Sequence, residues 1–382
     1  MIMTDYTFIA VSDIHLGLKL FNLPELAQDL KDNFAKLADL AIKKKVKYLF
    51  IAGDLFDSNK PSPDLISFMK GQVEKLNANN IIVAGIAGDH DKPINGASWI
   101  NLTGVVSATR LDSRFVGMDY CDDSPQLVTK LAQLENKDKV EWIFLHGHVP
   151  ELFKWCEEKK LLDIKQLNML KTFPALRGVI LGDIHVPTDS SISDPTGERE
   201  VLPYIGYCGS LGITKTDEVG RKTGVLYFDG TKISRLAFDL DREFVRFHLS
   251  DALEPINWIN KFAAFFKDHT GKKPVIIVEY DNQSKELLPL LAPLYEVGIV
   301  KKAMARKKGD DGENDVGETI NIRSELKTND RISAVLKEML PEKEAFDFVY
   351  GLLKNIDDPT IVLDELKAKY IGETNDTSKR TT

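Results

Sequence analysis

The stretch VSDIHLG, residues 11–17, decides how this chain is read. It closes an apolar run, Tyr6 to Val11, that reads as a buried strand because it is short, rich in aromatic and β-branched residues, and ended by turn-prone Ser12 and Asp13. Asp13 and His15 therefore stand where a strand exits. In a parallel α/β sheet, ligands and metal ions gather outside the carboxyl ends of the strands, so an Asp-x-His pair there is a candidate chelate. One such pair is equally well a turn-capping Asp beside a solvated His, and only recurrence separates the two readings.

The same event recurs four times. VKYLFIA (46–52) is followed by Asp54 and Asp57, and IIVAGIA (81–87) by Asp89, His90 and Asp91. VEWIFL (140–145) leads into His146 and His148, and GVIL (178–181) into Asp183 and His185. Of the 7 histidines in the chain, His15, His90, His146, His148 and His185 all lie in these segments, which chance scatter does not produce.

The chemistry that uses such a set is a two-metal centre. Two divalent ions about 3.5–4 Å apart clamp a phosphate and acidify a water for in-line attack. A carboxylate has to bridge them, and Asp54 at its tight Gly-Asp turn suits that task. Mixed Asp and His donors favour Mn, Fe or Zn over Ca, and the carboxylate enrichment shifts preference toward harder ions. Mn2+ is the expected ion, with Mg2+ the alternative.

Composition permits this reading. The 382 residues are 43% hydrophobic, ordinary for a globular protein, and suffice for two or three domains. No apolar stretch approaches the roughly 20 residues of a membrane span, and the first residues lack a signal peptide's layout, so a cytoplasmic, non-membrane protein is expected. Cys121, Cys156 and Cys208 have no metal-like spacing and read as reduced core thiols. A net charge of -8 argues against non-specific coating of nucleic acid but not against a nuclease, whose ions supply local positive charge.

The predicted fold class is α/β: a layered sheet sandwich flanked by helices, with a small α+β domain and C-terminal helices after it. Residues 23–45 and a segment starting at Ser62, Pro63 and Asp64 read as helices. TGVLYFDGTKISRLAFDL (223–240) reads as a hairpin turning at Asp229 and Gly230. The expected boundaries are residues 1–240 for the first domain, 241–306 for the α+β domain, 307–328 for an acid- and Gly-rich linker, 329–371 for short amphipathic helices, and 372–382 for a disordered tail. Helices as short as those in 329–371 need a surface to pack on.

The ordered set Asp-x-His, Gly-Asp-x-x-Asp, Gly-Asp-His-Asp, His and Gly-Asp-x-His resembles the calcineurin-like metallophosphoesterase superfamily. Within it the chain is most similar to nuclease subunits of the SbcCD type, over residues 7 to about 212, including YCGSL (207–211). The resemblance implies a DNA nuclease, 3′-to-5′ in its exonuclease action with endonuclease activity on single strands, that works in end processing and recombination. It implies a capping domain at 241–306, C-terminal helices that dock on an SMC-like ATPase, and a homodimer. Asp13, His15, Asp54 and His185 would hold one metal ion, and Asp54, Asp89, His146 and Asp183 the other. His146 is favoured over His148 because the apolar run ends at Leu145. His90 takes the place of the catalytic histidine, with Asp91 and Asp57 holding it and the ligands in orientation.

Two positions depart from the superfamily pattern. Asp89 stands where Asn is usual and Asp183 where His is usual, so four carboxylates face two dications and neutralise them formally before substrate arrives. That holds ions more tightly and weakens their pull on phosphate. Two other readings follow from this. One is a catalytically weak scaffold subunit whose helices do the binding. The other is a small-molecule phosphodiesterase, which has no use for residues beyond 240. Lys301, Lys302, Arg306, Lys307 and Lys308 are a candidate contact for DNA phosphates.

Overall fold

The computed structural model describes residues 4–304, apart from 94–97, 109–110, 122–123, 150–151, 153–167, 194–199, 250–254, 268 and 282–283. The expected linker, C-terminal helices and tail, and Arg306 to Lys308, lie outside the described residues, as does Cys156. The chain divides into two compact units. The first runs to Asp241 without Val219–Arg221, and the second takes that short segment together with the chain from Arg242.

The apolar runs of the first unit become strands in two sheets. β1 (Phe8–Val11), β2 (Tyr48–Ala52), β3 (Ile82–Ile86) and β4 (Val106–Ser107) are parallel neighbours. The second sheet carries β5 (Phe115–Gly117), β6 (Trp142–His146), β7 (Gly178–Gly182), β8 (Thr188–Ser193) and β9 (Glu200–Tyr207), in the order β5-β6-β7-β9-β8. The expected hairpin forms β10 (Gly224–Phe228) and β11 (Ile233–Ala237), which extend the first sheet antiparallel to β1.

Period-two alternation sorts the side chains of every strand to one face or the other. Phe8, Ala10, Tyr48, Phe50, Ala52, Ala84 and Ile86 meet Phe115, Trp142, Phe144, Ile180 and Cys208 of the second sheet in one buried core. Phe50 stacks on Phe144 with ring centroids 4.2 Å apart, and Phe8 meets Trp142 edge-on at 5.1 Å. The polar atoms in this layer are satisfied: the Trp142 indole donates to the Tyr6 hydroxyl (3.1 Å), which donates to Glu141 (2.9 Å).

The opposite face of the first sheet, with Ile9, Val11, Leu49 and Ile51, packs on Phe34 and Leu37 of α1 (Pro24–Lys44) and on Met69 and Val73 of α2 (Pro63–Ala78). Beyond the second sheet, Ile143, Leu145, Val179 and Leu181 pack on Leu127 and Leu131, which lie on the helix Ser124–Ala132. The first unit is therefore a helix, sheet, sheet, helix sandwich. At the start of α2 the Ser62 hydroxyl makes no capping bond; the Ser62 carbonyl instead accepts from Leu65 and Ile66. Cys208 is buried as expected, whereas Cys121 is only half-buried, with its thiol 3.1 Å from Gln126.

In the second unit β12 (Phe244–His248), β13 (Val275–Tyr280) and β14 (Ile299–Met304) are all parallel, and the helix Pro255–Lys267 follows β12. The segment SKELLPLLAPLY (284–295), which reads as a helix in the sequence, is a 3-10 helix, Lys285–Leu291, followed by an α-helix, Ala292–Val297. Pro289 falls inside the 3-10 helix, where it removes a backbone donor, and Pro293 stands in the first turn of the α-helix, where the missing N–H costs no intrahelical bond. Among the described residues no helix is long and apolar enough to cross a membrane.

Candidate metal centre

The site is built where five parallel strands end. Asp13, His15, Asp54 and Asp183 take positive φ angles of 52°, 49°, 51° and 91°. Few non-glycine residues adopt that region, and Asp and His are among those that tolerate it, at a cost of about 1–2 kcal/mol each. Two glycines of the Gly-Asp turns are there for space. A Cβ on Gly53 would come within 2.1 Å of the His146 ring, and one on Gly88 within 2.1 Å of the Asp54 carboxylate.

These turns bring the candidate donors into overlapping groups whose ligand atoms lie within 4.8 Å of one another: Asp13 with His15 and His185; His15 with Asp54 and His90; Asp13 with Asp54 and His146; and Asp89 with His146 and Asp183. The Nε2 atoms of His15 and His185 are 3.2 Å apart, and His185 Nε2 is 3.8 Å from Asp13. Asp54 Oδ2 lies 3.6 Å from His15 Nε2 and 3.5 Å from His146 Nε2, placing one carboxylate oxygen between the two halves of the site.

His146 shows most directly that these residues fit a metal ion. Its Nδ1 is 2.8 Å from the Ala52 carbonyl, which makes Nδ1 the donor, so that in the neutral ring Nε2 is the lone-pair nitrogen. Nε2 is buried, makes no hydrogen bond among the described residues, and faces Asp54 and, at 3.4 Å, Asp89. His148 joins none of the donor groups; its Nε2 lies 3.0 Å from Asp183 Oδ2.

The electrostatics follow from the crowding of carboxylates. Burial works to raise the Asp54 and Asp89 carboxyls, but His146 and the neighbouring imidazoles outweigh it and hold both below the ordinary range. Burial likewise opposes a proton on His146, yet Asp54 and Asp89 raise its pKa well above the usual imidazole value.

His90 sits differently. Its backbone N–H donates to Asp54 Oδ1 (3.0 Å), its Nδ1 lies 3.2 Å from the Asp57 carbonyl and 3.7 Å from the Asp57 carboxylate, and its side chain is 45% exposed. The ring also belongs to one of the donor groups, with His15 and Asp54. Asp57 also stands 3.4 Å from His15 Nδ1.

Asp91 works on the backbone. Fully buried, it accepts from the amides of Leu55 (2.8 Å), Phe56 (3.2 Å) and Gly88 (2.7 Å), locking the turn that carries Asp54 to the turn that carries Asp89. Burial, reinforced by the Asp54 charge, raises its pKa to about 6. Its bonds are to these loops rather than to the His90 ring.

One participant carries no motif. Glu218 meets His185 Nδ1 in a short contact, and although burial opposes both charges, the pair lowers the Glu218 carboxyl and raises the His185 imidazole. It is 33 residues from His185, in a segment with no strand-exit pattern, so only the fold reveals it.

Residues 6–187 match the family described as calcineurin-like phosphoesterase, a span that contains all ten candidate site residues. Three similar proteins are each named DNA double-strand break repair protein Mre11. The one from Thermoplasma acidophilum is 40% identical over 22% of this chain and 22% of its own length. That from Sulfolobus acidocaldarius is 40% identical over the same shares. That from Archaeoglobus fulgidus is 34% identical over 25% of this chain and 21% of its own. The matched stretch spans about a fifth of the length of these relatives.

Proposed function

We propose, from the calcineurin-like metallophosphoesterase domain carried by residues 6–187, that this chain is a two-metal-dependent DNA nuclease. One observation carries the reading: four overlapping donor groups converge at the strand ends, with Asp54 Oδ2 3.6 Å from His15 and 3.5 Å from His146 and the partly exposed imidazole of His90 in the same cluster. That the similar proteins are named DNA double-strand break repair proteins supports DNA as the substrate.

In this reading Asp13, His15, Asp54 and His185 hold one ion and Asp54, Asp89, His146 and Asp183 the other. Bound there, the ions supply positive charge for the phosphate and lower the pKa of a water. Mn2+ suits the mixed nitrogen and oxygen donors best, with Mg2+ admitted by the carboxylates. His90 protonates the departing sugar oxygen, while Asp57 orients its ring and Asp91 holds the two ligand turns at fixed spacing. The nuclease acts 3′ to 5′ on duplex ends and as an endonuclease on single strands, as a homodimer partnered by an SMC-like ATPase through residues 329–371.

The four carboxylates of the centre favour a slow basal rate that rises when the ATPase binds. Incubating end-labelled duplex DNA with the chain in Mn2+ or Mg2+, with and without His90→Gln, tests the reading. Metal-dependent release of nucleotides, reduced about 10²- to 10⁴-fold in the variant, is expected. No release by the wild-type chain, with its ATPase present, would defeat the proposal.

A further inference from the structure

Glu218 lies beyond the residues that match the phosphoesterase family and outside every strand-exit motif. It is only 1% exposed, and a carboxylate buried that deeply is costly unless its oxygens are bonded. The bonds are supplied by its own loop. Thr214 N–H donates at 2.6 Å, Lys215 N–H at 3.1 Å, and the Thr214 hydroxyl lies 2.9 and 3.0 Å from the two oxygens. The remaining partner is His185 Nδ1, which also lies 2.8 Å from the Thr214 hydroxyl.

Thr214, Lys215 and Glu218 therefore form a closed turn whose outward-facing group is a carboxylate aimed at one imidazole nitrogen. An ionised carboxylate only accepts, so Nδ1 of His185 carries a proton, and in the neutral ring the lone pair is on Nε2. That nitrogen is the one facing His15 and Asp13. His146 receives the same service from a neutral group, the Ala52 carbonyl.

We propose that Glu218 is a positioning residue for the metal centre: it fixes the His185 tautomer and ring orientation, and its charge makes Nε2 a stronger donor to the first ion. The proposal rests on the reading of the site as a metal centre. Outer partners of this kind change metal affinity by about 10- to 100-fold when removed.

The test uses the full chain and two probes. Mn2+ titration followed by electron paramagnetic resonance counts bound ions and their affinities, and long-range proton-nitrogen NMR of the Zn2+-loaded, 15N-histidine-labelled chain reads the His185 tautomer. The expected results are an Nδ1–H tautomer at His185 and, in Glu218→Gln, weakening of one Mn2+ equivalent by roughly tenfold with the other unchanged. Glu218→Ala, where it folds, weakens the same equivalent further. A purely structural role would lower the melting temperature and leave Mn2+ affinity alone; that outcome, or an Nε2–H tautomer in the wild-type chain, overturns the proposal without touching the metal centre. A wild-type chain that binds no Mn2+ removes the metal centre and this role together.

Discussion

The two halves of the candidate centre differ in donor type and in depth. One half joins Asp13, His15 and His185, two nitrogens to one carboxylate, with Asp13 fully buried and His15 only 3% exposed. The other joins Asp89, His146 and Asp183, two carboxylates to one nitrogen, and the Asp89 and Asp183 side chains are 34% and 21% exposed. Imidazole-rich sites suit Zn, Cu, Fe and Ni, and carboxylate-rich sites suit Mg, Ca and Mn. Both departures from the superfamily's ligand pattern fall in the open half. The two halves are therefore expected to bind Mn2+ unequally, the carboxylate-rich half more tightly.

Asp54 belongs to both halves, so its loss has the largest effect. Asp54→Ala is expected to weaken both Mn2+ equivalents beyond the about 10- to 100-fold that an outer partner costs, and to abolish nucleotide release. Loss of one equivalent alone would confine Asp54 to one half and break the comparison at its centre.

Asp91 tests whether the halves are held in register by one latch. Its folded pKa of about 6 is above the ordinary carboxyl value of 3.8, so the folded state binds its proton more readily than the unfolded state. Its contribution to stability is fully present below pH 4, falls as pH rises toward 6, and is constant above that. The total change is about 3 kcal/mol. In the metal-free chain, denaturant melts at pH 4 and pH 7 are expected to show the wild type losing that much relative to Asp91→Asn. An equal pH response in the two proteins would remove Asp91 as the titrating group.

Asp89→Asn sharpens the comparison electrostatically. Removing one charge from the open half is expected to weaken its ion about tenfold, equivalent to about 1.4 kcal/mol, shift preference away from Mg2+, and raise the rate at saturating Mn2+. Activity and metal preference both equal to wild type would end the claim that carboxylate excess slows this centre.

The centre was readable in the sequence to the extent that its chemistry coincided with a local pattern. Asp13, His15, Asp54, Asp89, His90, His146, Asp183 and His185 each follow a short apolar run, and the runs became β1, β2, β3, β6 and β7 because alternation committed one face to the inter-sheet core and the other to helices. What depends on tertiary contact was not readable. Asp91 sits beside His90 in sequence yet bonds to amides 35 and 36 residues away, and Glu218 reaches His185 across 33 residues of unrelated pattern. The residues from 284 to 295 read as one helix, whereas they form a 3-10 helix with Pro289 inside it and a separate α-helix with Pro293 in its first turn.

The smallest expected effect separates His146 from His148, two residues apart at the end of β6. A side chain at the last position of a buried strand points into the sheet layer, and His146 does so with its Nδ1 on Ala52 and its Nε2 toward Asp54 and Asp89. His148 lies past the turn, 15% exposed, and reaches the centre only through Asp183. If that division holds, His148→Asn changes the affinity of the open half by a few-fold or less, because Asp183 keeps its own access to the ion, whereas His146→Asn removes that half's sole nitrogen. Parallel Mn2+ titrations of the two variants decide the matter. Equal losses would make His148 a ligand in its own right, and the open half would then have two nitrogens, erasing the donor asymmetry on which the comparison of the two halves stands.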